Sequence, residues 1–397
     1  MSNNAPVYVI AAKRTAVTKA NKGGFSKTRP DELLARILKD VVVKSRVNPE
    51  DIGDVVIGCA FPEAEQGQNV ARIASLLAGL PDTIPGITIN RYCSSGLNSI
   101  AIAANAIQSG QMDVAIAGGV ESMSLIPMGG NDWSVSPEVF NHDENIAIAY
   151  GMGITAENVA VDWNISRIDQ DEFALNSHKK AIHAISNGYY KEEILPIEVV
   201  HHIPNELTGT IDKITKIIDT DEGARADTTL EALAKLKPAF SMKGSVTAGN
   251  SSQMSDGAAA LVLVSESYLK LHNLTPIGRF LGFSVCGVPP RIMGIGPVKA
   301  IPKVLNQVAL DIKDIDWIEL NEAFASQGLA VIRDLGLNPD IVNPCGGAIA
   351  LGHPLGATGA ILSTKLLHGL RRTNKKYGIV TMCIGTGMGA AGVFEAL

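Results

Sequence analysis

The stretch "CSSGLNSIAIAANAIQSGQMDVAIAGG", Cys93–Gly119, decides the fold, because the chain contains its order of elements twice. Leu97, Ile100, Ala101, Ala104 and Ile107 recur at three- and four-residue steps, which predicts a helix with an apolar face. Ser94 or Ser95 is placed to cap its start and Gly110 to end it. "MDVAIAGG" then reads as a short strand buried on both faces, since its apolar residues run on without alternating. The order small-residue turn, helix, polar link, buried strand and glycine turn returns in "GATGAILSTKLLHGLRRTNKKYGIVTMCIG", Gly356–Gly385.

Two further pairs rhyme. "DIGDVVIGCA" (Asp51–Ala60) matches "DIDWIELNEA" (Asp314–Ala323), and "PVYVIAAKRT" (from Pro6) matches "PIGRFLGFSV" (from Pro276). All three pairs lie about 260–270 residues apart, which predicts an α/β protein of two halves with like topology. Between them, roughly Glu121 to Asn250, charged helical patterns such as "SRIDQDEFALNSHKKAIHAI" and loops suggest an insertion. The expected division is residues 1–121 with 251–272 for the first half, 122–250 for the inserted domain and 273–397 for the second half.

Bulk properties narrow the function. The formal charge of −6 gives no basic footprint for nucleic acid. No apolar run reaches the roughly 18 residues of a membrane span. The N-terminal "MSNNAPVYVIAAKRT" lacks the regions of a signal peptide, and "VFEAL" is no peroxisomal tripeptide. The five cysteines (Cys59, Cys93, Cys286, Cys345, Cys383) form no C-x-x-C, so neither a disulfide nor a metal framework is expected, and a reducing cytoplasm is the expected setting. Gly387, Gly389 and Gly392 fit G-x-G-x-x-G, but a dinucleotide turn needs a helix and a strand behind it. The sequence stops at Leu397, so that reading is set aside.

The chemistry then falls to thiols. Cys93 in "INRYCSSGLNSI" sits where a strand-like run meets a helix start, which favours a thiolate with a pKa below the reference of about 8.5. A buried, inert cysteine is an equal reading, and spacing does not choose between them. His353, in the glycine-dense "GGAIALGHPLGATGA", precedes Gly359, the repeat partner of Gly96. Pseudo-symmetry would bring it to Cys93 from the other half as a base, although a lone histidine is more often structural. Cys383 closes what reads as the last strand and could serve as an acid or base. The turn after it leaves the Gly385 N–H open for an oxyanion hole. Asn321 ends the strand of "ELNEAFA", as a turn residue or as the holder of a water or carbonyl. Arg225 could meet a phosphate, or simply be solvated.

"NRYCSSGL", "GNSSQMSDGAAA", "NEAFASQ", "GGAIALGHPLGATG" and "CIGTGMGAAGVFE", in that order, make the chain resemble the thiolase family from end to end. The resemblance implies a five-layer αβαβα thiolase fold of two halves, with a loop domain that grips coenzyme A. It implies exchange between a 3-oxoacyl-CoA plus CoA and two acyl-CoA molecules, with coenzyme A as substrate and no permanently bound cofactor or metal. By carry-over, Cys93 becomes the acyl-thioester, His353 activates Cys93 and then the CoA thiol, and Cys383 protonates the departing acetyl-CoA enolate. Asn321 would hold a water in one oxyanion hole, with the N–H groups of Cys93 and Gly385 forming the other. Along coenzyme A the resemblance places Arg225 near the nucleotide, Ala248 and Ser252 on the pantetheine, Met152, Phe240 and Phe324 in the tunnel and Met293 at the acyl pocket. It also implies homodimers or homotetramers and leaves room for a partner enzyme of β-oxidation.

One departure bears on the branch. Biosynthetic members have a histidine where this chain has Gly151, and "CSSG" and "CIGTGMG" look like the degradative 3-ketoacyl-CoA thiolases. The alternative is an acetoacetyl-CoA-forming acetyl-CoA acetyltransferase. A decarboxylating 3-oxoacyl synthase has no counterpart of Cys383, and a non-catalytic acyl-CoA-binding protein would not need all four side chains.

Overall fold

The computed structural model describes residues 5–141, 145–205 and 208–397, so His142 lies outside them. The first half runs β1 (Val7–Arg14), β2 (Thr18–Lys19), α1 (Pro30–Ser45), β3 (Ile52–Gly58), α2 (Val70–Leu77), β4 (Gly86–Ile89), α3 (Ser95–Gln108) and β5 (Val114–Ser122). There follow α4 (Met152–Asp162), α5 (Arg167–Ser186), the hairpin of β6 (Ile197–Asn205) and β7 (Thr210–Ile218), and α6 (Leu230–Ala234). β8 (Ser255–Ser265) and α7 (Glu266–Leu271) return to the first half. The second half runs β9 (Gly278–Gly287), α8 (Gly296–Val308), β10 (Trp317–Leu320), α9 (Ala325–Leu335), α10 (Ala348–Leu351), α11 (Leu355–Arg372), β11 (Tyr377–Ile384) and β12 (Met388–Ala396).

The repeat read in the sequence is a repeat of strand order. β3–β5–β8–β1 in one half becomes β10–β11–β12–β9 in the other. In each, the first pair is parallel and the next antiparallel. The two sets join through a short ladder, Val7–Val9 of β1 against Gly278–Phe280 of β9. β5 and β8 are buried at every residue, as the unbroken apolar run of β5 predicts for a strand covered on both faces.

α3 and α11 pack on each other between the two sets of strands, α3 on β3 and β5, α11 on β5, β8 and β11. A helix in such a place is covered on every side: α11 is buried at every residue from Leu355 to Leu367. Its polar members there are bonded internally, as Ser363 is to Gly359 O and Lys365 to Glu319. The repeat-partner glycines explain how closely they cross. A Cβ on Gly96 would lie 2.8 Å from Ala360 N, and one on Gly359 would lie 2.2 Å from Leu97 N. α1 covers β8 and β1 on one outer face, and α8 covers β12 and β9 on the other. Together with the strands these make the five layers. Among the described residues, no helix is long and apolar enough to cross a membrane.

Two local expectations need correction. Ser94 does not cap α3: its hydroxyl is buried without a partner among the described residues. Ser95 Oγ instead accepts from Arg91 N at 2.8 Å and donates to Tyr92 O at 2.7 Å, closing the turn before the helix. Cys383 is not on the last strand. β12 follows it through the hairpin turn Gly385–Gly387, where Thr386 and Gly387 adopt φ of 67° and 91°.

Candidate active site

Cys93 lies in a single helical turn, Tyr92–Ser94, wedged between β4 and α3. Tyr92 has φ 45°, a strained value for a residue with a side chain, and it makes the sharp corner that presents the sulfur. Two backbone N–H groups, those of Gly385 and of Cys93 itself, point at that sulfur. The thiol is nevertheless pushed up to about 11, because burial outweighs both N–H groups, and the Glu121 carboxylate adds to the rise. The expectation of a depressed pKa is therefore wrong: the helix start is present, but desolvation dominates it. At rest Cys93 is a neutral thiol that needs a base.

His353 supplies an imidazole contacted at both ring nitrogens, and its backbone is held as well. Its Nδ1 is 2.6 Å from Thr358 Oγ1, its Nε2 is 3.3 Å from Asn321 Nδ2, and its backbone N donates to Gln253 O at 3.0 Å. The ring is buried, which pushes its pKa down to about 4, so it is neutral at physiological pH and able to accept a proton. Asn321, just past β10, is fixed by its N–H to Thr381 O at 2.9 Å, two residues before Cys383. Its Oδ1 is buried with no partner among the described residues, a lone acceptor inside the site.

Cys383 is buried too, and both burial and the nearby Cys93 push its thiol well up. It packs with Met152, Met293, Phe324 and Ala323. Leu355, two residues past His353, packs on Cys93 with Ala60 and Met123. Cys93, His353, Cys383, Asn321 and Gly385 thus come together, one from the first half and four from the second.

Of the residues expected along coenzyme A, Met152, Met293 and Phe324 share the Cys383 cluster. Phe240 meets Phe324 edge-on at 5.9 Å and is 41% exposed, so the apolar lining runs from Cys383 out to solvent. Ser252 is tied to this lining through its N–H to Ala323 O at 2.9 Å, and Ala248 is exposed nearby on the same segment. Arg225 stands apart, on the rim of a hollow of about 260 Å³ with His178 and Lys179, its N–H donating to His178 Nδ1 at 3.1 Å.

Sequence reading missed the groups that hold these side chains. Glu121 accepts from Ala60 N at 2.7 Å and Gly356 N at 2.7 Å, clamping a turn of the first half to the start of α11. Gln253 Nε2 reaches Gly223 O at 3.0 Å and Ile349 O at 3.0 Å, and so joins the loop before Arg225 to α10, just before His353. Thr358 was visible only as part of a small-residue run. The five cysteines are all unpaired.

A nucleophilic thiol under two N–H donors, a neutral imidazole, a second thiol and an apolar cluster beside it suit covalent acyl transfer. Comparison with known proteins agrees. The family model "Thiolase, N-terminal domain" matches residues 7–267, and "Thiolase, C-terminal domain" matches residues 274–396. The 3-ketoacyl-CoA thiolase of Bacillus subtilis (strain 168) is 50% identical over 387 residues, covering 98% of each chain. The solved Bacillus anthracis acetyl-CoA acetyltransferase matches with a TM-score of 0.89 at 40% identity over 100% of both chains. The dimeric peroxisomal thiolase of Saccharomyces cerevisiae gives 0.88 at 42%, covering 100% of this chain and 99% of that one.

Proposed function

The chain belongs to the thiolase family, and from that premise we propose a degradative acyltransferase that cleaves 3-oxoacyl-CoA with CoA through an acyl-thioester on Cys93. The observation that carries this is the convergence of Cys93, Cys383 and the His353–Asn321 pair at one buried place.

His353 Nε2 takes the proton of the Cys93 thiol, and the sulfur attacks the 3-oxo carbon. The N–H groups of Cys93 and Gly385 receive the tetrahedral oxyanion, which preorganised donors stabilise in a water-poor site. The C2–C3 bond breaks, and its electron pair leaves as the enolate of acetyl-CoA. Asn321 and His353 face the enolate oxygen, while Cys383 gives its proton to the enolate carbon. The His353 imidazolium returns its proton to the Cys383 thiolate. The neutral ring then takes the proton of the incoming CoA thiol, whose sulfur takes the acyl group from Cys93, and that proton passes to the departing Cys93 sulfur. Cys383 suits the acid role because a thiol held neutral by burial is an acid that carbon can deprotonate.

The degradative branch is supported by Gly151. A Cβ there would meet nothing within 4 Å, so packing does not demand the glycine, and no histidine stands beside Met152. The test is CoA-dependent loss of 3-oxoacyl-CoA absorbance with four-carbon, medium and long substrates. We expect cleavage of all lengths with longer ones favoured. Activity on acetoacetyl-CoA alone would make the protein an acetyl-CoA acetyltransferase, and no activity would remove the catalytic reading. A homodimer or a pair of dimers in a reducing cytoplasm completes the proposal, with a β-oxidation enzyme as supplier of the 3-oxoacyl-CoA. Sedimentation as a monomer only would refute the assembly.

A further inference from the structure

Thr358 lies one turn into α11 and touches the catalytic imidazole from behind. Its Oγ1 is 2.6 Å from His353 Nδ1 and 3.1 Å from Pro354 O. A hydroxyl has one proton, and a carbonyl oxygen can only accept it. With that proton on Pro354 O, Thr358 Oγ1 is an acceptor, and the ring proton belongs on Nδ1. The opposite side of the ring asks for the same state. With the amide as it is turned in the structure, Asn321 Nδ2 is 3.3 Å from Nε2 and can donate only to a bare nitrogen, a contact released when Nε2 takes up the Cys93 proton.

We propose that Thr358 is a positioning residue that holds His353 in the Nδ1–H tautomer, leaving the Nε2 lone pair aimed into the site to take the Cys93 proton. The assignment rests on the thiolase reading above. Thr358 Oγ1 stays an acceptor once Nε2 is protonated, so it also steadies the imidazolium formed during acylation. Nothing charged is needed in this place, where a carboxylate would itself have to be desolvated. Burial already keeps the ring neutral at rest, and the hydroxyl decides only which nitrogen carries the proton.

The test uses the full chain with ¹⁵N-labelled histidine. Long-range ¹H–¹⁵N correlation at pH 7 reads the tautomer, and the His353 signal is identified by its loss in His353→Asn. A protonated Nδ1 and a bare Nε2 are expected in the wild type. A proton on Nε2 would overturn the proposal, whatever the variants do.

Thr358→Val removes the hydroxyl at nearly constant volume. It should slow acylation of Cys93 by acetyl-CoA by about 10- to 100-fold and mix the tautomers. Thr358→Ser should restore the rate to within about threefold and the Nδ1–H signal with it. A valine variant within about twofold of wild type would also overturn it. Because the tautomer is read without turnover, its failure leaves the thiolase reading standing, and loss of wild-type activity would sink that reading instead.

Discussion

Cys93 and Cys383 are chemically the same residue with opposite duties, and both are held protonated by burial. For Cys93 the sign is unambiguous: its folded pKa near 11 is above the ordinary thiol value, so the reactive thiolate fraction grows as pH rises. Alkylation by iodoacetamide should therefore climb steadily through pH 9 and 10. A plateau near neutrality would reveal a standing thiolate–imidazolium pair instead. Cys383→Ser should still form the acyl-thioester with acetyl-CoA, seen by mass spectrometry, while losing about 10²- to 10⁴-fold in acetoacetyl-CoA formation. Near-normal condensation would remove Cys383 from the mechanism. The types of these residues were legible in the sequence, but their ionisation was not. A helix start can be read from "CSSGL", whereas the burial that overrides it is set by residues as distant as Met123 and Leu355.

Elements were legible where pattern and packing agree. The apolar steps of α3 and the unbroken run of β5 predict what is found, because both are governed by burial within the sandwich. The cap was misread because Ser94 and Ser95 are equivalent as text, and only the Tyr92 corner turns one hydroxyl toward Arg91 and Tyr92 and the other into the core. The β11–β12 hairpin was missed because its glycines resemble a phosphate-binding turn and its strands are almost polar-free. The α3–α11 crossing makes a prediction of its own. Gly359→Ala would drive a Cβ to 2.2 Å from Leu97 N, against backbone that cannot rotate away. We expect a loss of at least about 1–3 kcal/mol, measured by urea denaturation. An unchanged midpoint would mean that the helices slide apart freely.

At the scale of the molecule, the inserted stretch is held to the first half by charge. Arg14, fully buried at the end of β1, is bonded to Glu193 Oε1 at 2.8 Å and to both oxygens of Asp221 at 2.7 and 2.9 Å. Arg14→Met would strand two buried carboxylates and should cost about 3–5 kcal/mol, read as a lower thermal or urea midpoint. A variant as stable as wild type would show that water reaches them. None of this was legible, since Arg14, Glu193 and Asp221 are far apart in sequence and look like surface residues. The halves themselves were legible, because duplication leaves a fixed spacing. The short β1–β9 seam has a consequence for ancestry. A forebear of one half alone would have carried an unpaired strand edge there and would have met a second copy of itself across a two-fold axis. Both copies would then have owned the same cleft residues twice over. In the fused chain the two halves are free to differ, and here the first half carries the nucleophile Cys93 while the second carries His353 and Cys383.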